Sequence, residues 1–260
     1  MALSLAEEKG YAKAFIALAP KLTGVWLQGG LTVALAIAET RARIGALSAL
    51  IPHLSVEDQH KALRSSLEPC LVEDGFAQVH ALATLTSQLT GAPRTYALKH
   101  ALEISLAYTH ELQQAPLIKE LAPQLSSPLL ETALDAVLLF EGDLARIEAL
   151  KALAPQLVDE PLERALEAAL AISDTQGRAK TLAALLAQLP GEAQNYAFQE
   201  GWKAAHLIDD EGARIRALVA FVPYLSIEQR YKVLKQSLDL ALAMEFEHQR
   251  ARTLIALASY

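Results

Sequence analysis

Ala149-Leu150-Lys151-Ala152-Leu153-Ala154-Pro155-Gln156-Leu157 is the clearest copy of a Leu- and Ala-rich unit that recurs along the chain. Residues 15–22, 46–54 and 217–225 repeat this unit closely. Its second leucine has an equivalent in eight copies, which follow one another at intervals of 32 to 36 residues. This period is typical of stacked helical hairpins. The eight anchor residues are Leu18, Leu50, Leu85, Leu121, Leu153, Leu185, Phe221 and Leu257.

Each repeat is predicted to hold two antiparallel helices, here named helix A and helix B. Between Pro161 and Leu170 the apolar residues recur every three or four positions, which predicts a helix A. Asp174 lies where an acidic side chain favours the start of the following helix B. A proline at the position of Pro155 is expected to end helix B. The longer repeats carry about four extra residues ahead of helix A, so we expect one added helical turn there.

The repeats predict an all-α protein, and more specifically an α-solenoid. About eight hairpins of 32–36 residues are expected to form a right-handed superhelix. Because each repeat of a solenoid contacts only its neighbours, residues 1–260 are predicted to be a single repeat domain. Leu3 and Leu5 align with the end of a helix A, and Tyr260 ends a helix B without a polar cap. We therefore expect the chain to be a segment of a longer protein.

The composition favours a soluble, cytoplasmic protein. Hydrophobic residues make up 52% of the chain and charged residues 20%, which allows an extensive core. No apolar run reaches the roughly 18 residues expected of a membrane span, and the N-terminus lacks the pattern of a signal peptide. Cys70 is the single cysteine, so an internal disulfide is excluded and a buried structural role is expected for this thiol.

An arginine recurs four residues before the first leucine of the unit and is the best candidate for a functional surface. Stacked repeats would place these side chains along one ridge. Glu39, Asp174 and Asp210 precede three of the arginines by four residues, which favours structural ion pairs within helix B. The alternative is a stripe that binds an anion or a protein partner. The five arginines are Arg43, Arg146, Arg178, Arg214 and Arg250.

Two tryptophans complete the set of candidate partner-binding residues. Trp26 and Trp202 both fall on predicted A helices. Tryptophan is enriched at the energetic centres of protein interfaces. At helical spacing it also fills the core between repeats, so both roles stay open.

Nucleic acid is not an expected partner. The net charge is −7, and most of the acidic excess lies in the second half of the chain. Binding a polyanion requires a basic stripe that neutralises several phosphates. The small basic clusters, such as the one around Lys61 and Arg64, are more typical of solvated helix faces. No membrane partner is expected either.

The sequence lacks the signatures of catalysis, of a bound metal and of a cofactor. Gly29-Gly30 is not followed by the Lys-Ser or Lys-Thr of a phosphate-binding loop. The seven histidines are scattered without the spacing of a zinc site. Asp209-Asp210-Glu211 stands at a predicted helix start, where capping accounts for the acids. We therefore expect a protein that is not an enzyme.

The repeat resembles those of a known kind of helical array. An arginine followed by Ala-Leu-x-x-Leu-Ala-Pro-x-Leu and a short Ala- and Leu-rich helix A is similar to the helical repeats appended to large bacterial signalling NTPases. The period is also similar to that of tetratricopeptide repeats. The resemblance covers nearly all 260 residues. It implies a sensor or scaffold that binds a protein or peptide, with any NTPase or effector domain lying outside this chain.

Three classes of function are therefore consistent with the sequence. The first is a non-catalytic module that binds a protein or peptide on a surface shared by several repeats. The second is a structural spacer or self-assembly segment, in which uncapped ends associate with other copies. The third is an enzyme whose site is built from residues that are distant in sequence.

Overall fold

The structure is a computed structural model, and it describes residues 10, 14, 15, 17–38, 40–67 and 75–258. This part of the chain is all-helical and contains no β-strand. Predictions that concern Leu3, Leu5, Glu39, Cys70 and Tyr260 lie outside the described residues.

Fourteen α-helices are present in the described residues. They alternate between helix A (odd numbers) and helix B (even numbers) of the predicted hairpins. They are α1 (Gly24–Leu35), α2 (Thr40–Leu50), α3 (Val56–Leu67), α4 (Gly75–Thr86), α5 (Gly91–Leu106), α6 (Glu111–Leu121), α7 (Leu129–Leu138), α8 (Asp143–Leu153), α9 (Asp159–Leu170), α10 (Thr175–Leu185), α11 (Gly191–His206), α12 (Glu211–Val219), α13 (Ile227–Ala243) and α14 (Glu247–Leu257).

The helices divide into two compact units. The first is Met1–Leu129 and holds α1 to α6, and the second is Leu130–Tyr260 and holds α8 to α14 with nearly all of α7. Within the first unit, α2 packs on α1, α3 and α4, and α5 packs on α3, α4 and α6. Within the second, α10 packs on α8, α9, α11 and α12. The packing thus runs between helices that are adjacent or next but one in sequence.

Proline ends helix B as predicted. Pro155 lies in a short 3₁₀ turn, Ala154–Gln156, that directly follows α8. The turn closes with a hydrogen bond from the backbone N–H of Leu157 to the carbonyl of Ala154. The same turn occurs at Pro20, Pro52, Pro123 and Pro223.

Several A helices begin with a backbone conformation that the pattern analysis did not predict. Gly24, Gly91 and Gly191, each the first residue of its helix, have φ of 51°, 61° and 40°. Glycine adopts this left-handed region without a Cβ clash. Asp159 opens α9 at φ 50°, and a short polar side chain tolerates this region better than most. The start of α9 is therefore two residues earlier than Pro161, where the sequence placed it.

Other helices begin with side-chain caps. The carboxylate of Asp174 accepts a hydrogen bond from the backbone N–H of Gly177 at the start of α10, and Asp210 does the same for Ala213 at the start of α12. These bonds satisfy donors that have no partner inside the helix. The prediction that Asp174 starts a helix B is confirmed.

The added turn is confirmed in three of the longer repeats. The A helices α5, α11 and α13 contain 16, 16 and 17 residues, whereas α1 and α9 of the shorter repeats contain 12. The exception is α3, which contains 12 residues although its repeat, from Leu50 to Leu85, is one of the longer ones. A full extra turn keeps the apolar face in the same direction.

The leucine anchors form the core of each unit. Leu50, Leu85 and Leu121 are fully buried in the first unit, and Leu153, Leu185 and Phe221 in the second. Leu257 is half-buried. Leu18, in the incompletely described first repeat, is 50% exposed, so it does not act there as a core anchor. Among the described helices, none combines the length and the hydropathy that a membrane span requires.

Candidate functional site

The recurrent arginines hold the loop between helix A and helix B. Arg43 donates from Nη1 to the carbonyl oxygen of Ile37 at 2.7 Å. Arg146, Arg178 and Arg214 each donate to the carbonyl that likewise lies six residues earlier. The acceptors are the carbonyls of Phe140, Ile172 (3.4 Å) and Ile208 (3.2 Å).

Burial of both partners makes this a structural contact. Arg43 is 7% exposed, and the side chain of Arg146 is 18% exposed. The residues whose backbone carbonyls accept these bonds, Ile37 and Phe140, are also buried. A hydrogen bond from a charged donor to such a carbonyl is stronger than a neutral one. We therefore attribute the recurrence of arginine at this position first to the closure of the loop.

The predicted ion pairs four residues apart are corrected for two of the arginines. Asp174 and Asp210 stand before their helices and cap N–H groups there, so their carboxylates do not pair with Arg178 or Arg214. The ion pairs that form have a spacing of three residues. Arg146 lies 3.7 Å from Asp143, and Arg214 lies 3.6 Å from Glu211.

Glutamine replaces arginine in two repeats, at Gln78 and Gln114, and the last repeat departs from the pattern. The position six residues before Gln78 lies outside the described residues. Gln114 donates from Nε2 to the carbonyl of Tyr108, again six residues earlier. Among the described residues, Arg250 has no equivalent side-chain bond. A large apolar residue precedes each arginine by six positions, from Ile37 and Arg43 to Met244 and Arg250. This second periodicity was visible in the sequence, but it does not identify a backbone carbonyl as the acceptor, and Met244 and Arg250 follow it without the bond.

The two tryptophans differ in their surroundings. Trp26, on α1 of the first unit, is 77% exposed. Trp202, on α11 of the second unit, is half-buried in an aromatic cluster. Its ring centroid lies 5.7 Å from Phe198, 6.1 Å from Phe221 and 5.2 Å from His206. Trp26 therefore does not fill a core, whereas Trp202 packs in part against one, and partner binding stays a prediction for both residues.

Gly201 permits the tight packing of this aromatic cluster. A Cβ atom at Gly201 would lie 2.6 Å from Cζ of Phe221, closer than such atoms pack. Phe221 can therefore reach the surface of α11 and support the ring of Trp202 from the side.

A cavity of about 450 Å³ opens beside Trp202, between α11, α12 and α13 of the second unit. This volume falls within the range of pockets that bind small ligands or single anchoring side chains. Most of its wall is apolar, and two residues predicted from the sequence, Trp202 and Arg214, both line it. The apolar wall includes Phe198, Leu218, Val233 and Leu240.

Two exposed side chains, Lys232 and His206, lie at the rim of the cavity, and Arg214 is a second cation in its lining. No carboxylate lines the cavity among the described residues. Arg214 is already engaged by the carbonyl of Ile208 and by Glu211. Lys232 is exposed, so its ammonium is the cation best placed to meet an anionic group on a bound partner. Sequence reasoning missed the cavity because its wall comes from three helices that are separated in the chain.

A second positively charged feature lies on the B helices of the same unit. Burial, followed by the positive charges of Lys151 and Arg216, lowers the pKa of Lys180 below its usual 10.5. Arg252 adds to this effect, and the negative charge of Asp174 opposes it. Cations on α8, α12 and α14 are therefore close enough to Lys180 on α10 to disfavour its charge.

Metal chemistry receives no support from the structure. Within the described part of the chain, no group of three or more His, Cys, Asp or Glu side chains is placed to hold a metal ion.

Comparison with known proteins does not assign the chain to a family. No protein-family model matches it, and no curated protein matches it as a relative.

Proposed function

We propose that the chain is a non-catalytic module that binds a protein or peptide through the cavity between α11, α12 and α13. The observation that carries this proposal is the presence of Trp202 and Arg214 at one apolar cavity of about 450 Å³. Tryptophan and arginine are the residues most enriched at the energetic centres of interfaces. A concave apolar site with a few polar groups is also the usual form of a binding pocket.

The cavity favours an apolar anchor that lies next to an acidic residue. An inserted leucine or aromatic side chain would contact Trp202, Leu218 and Leu240, which replaces water at an apolar wall. Lys232 and His206 at the rim would meet a neighbouring carboxylate. Charge complementarity of this kind contributes mainly to specificity and to the rate of association.

We further propose that the hairpins stack as an α-solenoid with a right-handed superhelical path. The repeat period and the packing of each helix on its close neighbours in sequence support this arrangement. Eight repeats with helices about 8–10 Å apart would extend over roughly 70 Å. Small-angle scattering of the monomer should therefore give a radius of gyration clearly above the value of about 18 Å expected of a compact protein of this length. The compact value would contradict the solenoid.

The binding proposal is tested with selected peptides and paired variants. A random dodecapeptide library displayed on phage is panned against the purified chain, and an enriched peptide is then synthesised and titrated. We expect enriched peptides to carry an apolar residue beside Asp or Glu. Leu240→Glu and Lys232→Glu should weaken binding by about tenfold, because a carboxylate at the cavity opposes both the anchor and the acid.

The same helix supplies matched controls. Leu238 is 43% exposed and Leu240 41%, but only Leu240 lines the cavity. Leu238→Glu and Lys235→Glu should therefore leave the affinity within about twofold of the original. Failure to enrich any peptide, or equal losses in the cavity and control variants, would overturn the proposal.

The alternative of a self-assembling segment is favoured by a different feature. One face of α13 carries exposed apolar side chains at positions that repeat on the same side of a helix. They are Ile227 (86% exposed), Tyr231 (69%), Leu238 (43%) and Leu242 (57%). Light scattering after size exclusion separates the two functions. A monomer is expected of a recognition module, whereas an oligomer that Leu238→Glu dissociates would favour self-assembly.

A further inference from the structure

Four B helices of the second unit form a row of positive charge. α8, α10, α12 and α14 pack side by side in this order. Each contributes one cation, namely Lys151, Lys180, Arg216 and Arg252. The last three occupy the same register, two residues after the recurrent arginine of their repeat. We call these four residues the basic row.

Local carboxylates neutralise the basic row only in part. Asp174 is close to Lys180, but its carboxylate caps the backbone of α10. Asp210 caps α12 and lies 3.9 Å from a guanidinium nitrogen of Arg216, at the outer limit of an ion pair. Arg216 also donates to the hydroxyl of Thr253 on α14, which holds its side chain between neighbouring helices.

We propose that the basic row is a docking surface for an extended acidic segment of a protein partner. Adjacent helices lie about 8–10 Å apart, so the four cations extend over roughly 24–30 Å. A polyproline II segment rises about 3.1 Å per residue with three residues per turn, which places every third side chain on one face about 9 Å apart. Acidic residues at every third position would therefore meet one cation each.

The spacing of the cations favours a protein segment over nucleic acid. One strand of duplex DNA presents a phosphate about every 3.4 Å, so four cations over this length would leave most phosphates without a partner. An extended segment with sparse acidic residues matches the number and spacing of the cations.

Replacement of Lys180 distinguishes a binding role of this residue from a structural role. Because burial and then the neighbouring cations disfavour the charge of Lys180, Lys180→Gln should stabilise the free protein. The same substitution removes a contact to an acidic partner. A residue with a purely structural role would not raise stability and weaken binding together.

The test uses a labelled twelve-residue peptide that repeats Glu-Ala-Pro four times, titrated by fluorescence anisotropy in about 50 mM salt, where screening is weak. Lys180→Gln combined with Arg252→Gln should weaken its binding by about tenfold. The matched control, Lys203→Gln combined with Lys235→Gln, removes the same charge from exposed sites on α11 and α13 and should change affinity by less than about twofold. The Gln-Ala-Pro peptide should not bind.

Four outcomes would overturn the proposal. The first is equal binding of the glutamate and glutamine peptides, and the second is an equal loss in the row and control variants. The third is a loss of stability in Lys180→Gln. The fourth is tighter binding of a single-stranded oligonucleotide of equal charge, which would make the row a polyanion site. None of these depends on the cavity, so the proposed function can fail or hold independently.

Discussion

The guanidinium of Arg43 donates a hydrogen bond of 2.7 Å to the carbonyl oxygen of Ile37, and both residues are buried. The contact crosses the loop between α1 and α2 and fixes how the two helices of the hairpin meet. Three further repeats make the same bond over the same sequence separation. A recurrent charged residue therefore serves the geometry of the repeat.

Arg43→Ala should destabilise the protein much more than Arg250→Ala. Loss of the guanidinium leaves the buried carbonyl of Ile37 without its charged donor, which costs about 2–3 kcal/mol. Arg250 has no equivalent bond within the described residues, so its replacement should cost about 0.5 kcal/mol or less. Urea denaturation of both variants measures the difference. Equal costs would show that loop closure is not the reason for the arginine.

Gly201→Ala should destabilise the second unit. The added Cβ would meet the ring of Phe221 at 2.6 Å, and overpacking of this kind costs about 1–3 kcal/mol. Gly29→Ala is the matched control, because Gly29 also lies inside an A helix but has no atom within 4 Å of the added Cβ. There the better helix propensity of alanine should raise stability by up to about 1 kcal/mol. Thermal unfolding that shows the same sign for both variants would contradict the close packing at Gly201.

Lys180→Gln should raise the melting temperature at neutral pH and low salt. The pKa of Lys180 is lowered by burial and then by Lys151 and Arg216, so its protonated form is disfavoured in the folded state. The cost is fully present below the lowered pKa and is lost as pH rises through 10.5, the usual value for lysine. The gain in Lys180→Gln should therefore shrink toward pH 10.5 and also at high salt. A gain that is independent of both conditions would point to packing instead of charge.

The parts of the fold that depend on local sequence were predictable. Pro155 predicted the end of a helix B, Asp174 predicted the start of the next one, and the lengths of α5 and α11 followed from the extra residues in their repeats. Each of these features is set within one turn of helix. The left-handed start at Asp159 was missed because a helical pattern of apolar residues carries no information on φ.

The candidate sites depend on contacts between distant parts of the chain. The acceptor of the Arg43 bond is a backbone carbonyl, which every residue possesses and no composition reveals. The cavity needs α11, α12 and α13 in place, although Trp202 and Arg214 were both identified as candidates beforehand. Lys180 was missed because its significance comes from cations on neighbouring helices.

The environment of Trp202 during peptide binding tests the central claim most directly. The chain has two tryptophans, one lining the cavity and one exposed on α1 of the other unit. Trp26→Phe leaves Trp202 as the single tryptophan, and Trp202→Phe leaves Trp26. Each protein is titrated with a peptide enriched by the phage selection. The tryptophan emission of the Trp26→Phe protein should shift, and the affinity obtained from this shift should equal the affinity measured by anisotropy. The emission of the Trp202→Phe protein should not change. A shift confined to the Trp202→Phe protein, or binding without a change at Trp202, would contradict recognition at this cavity.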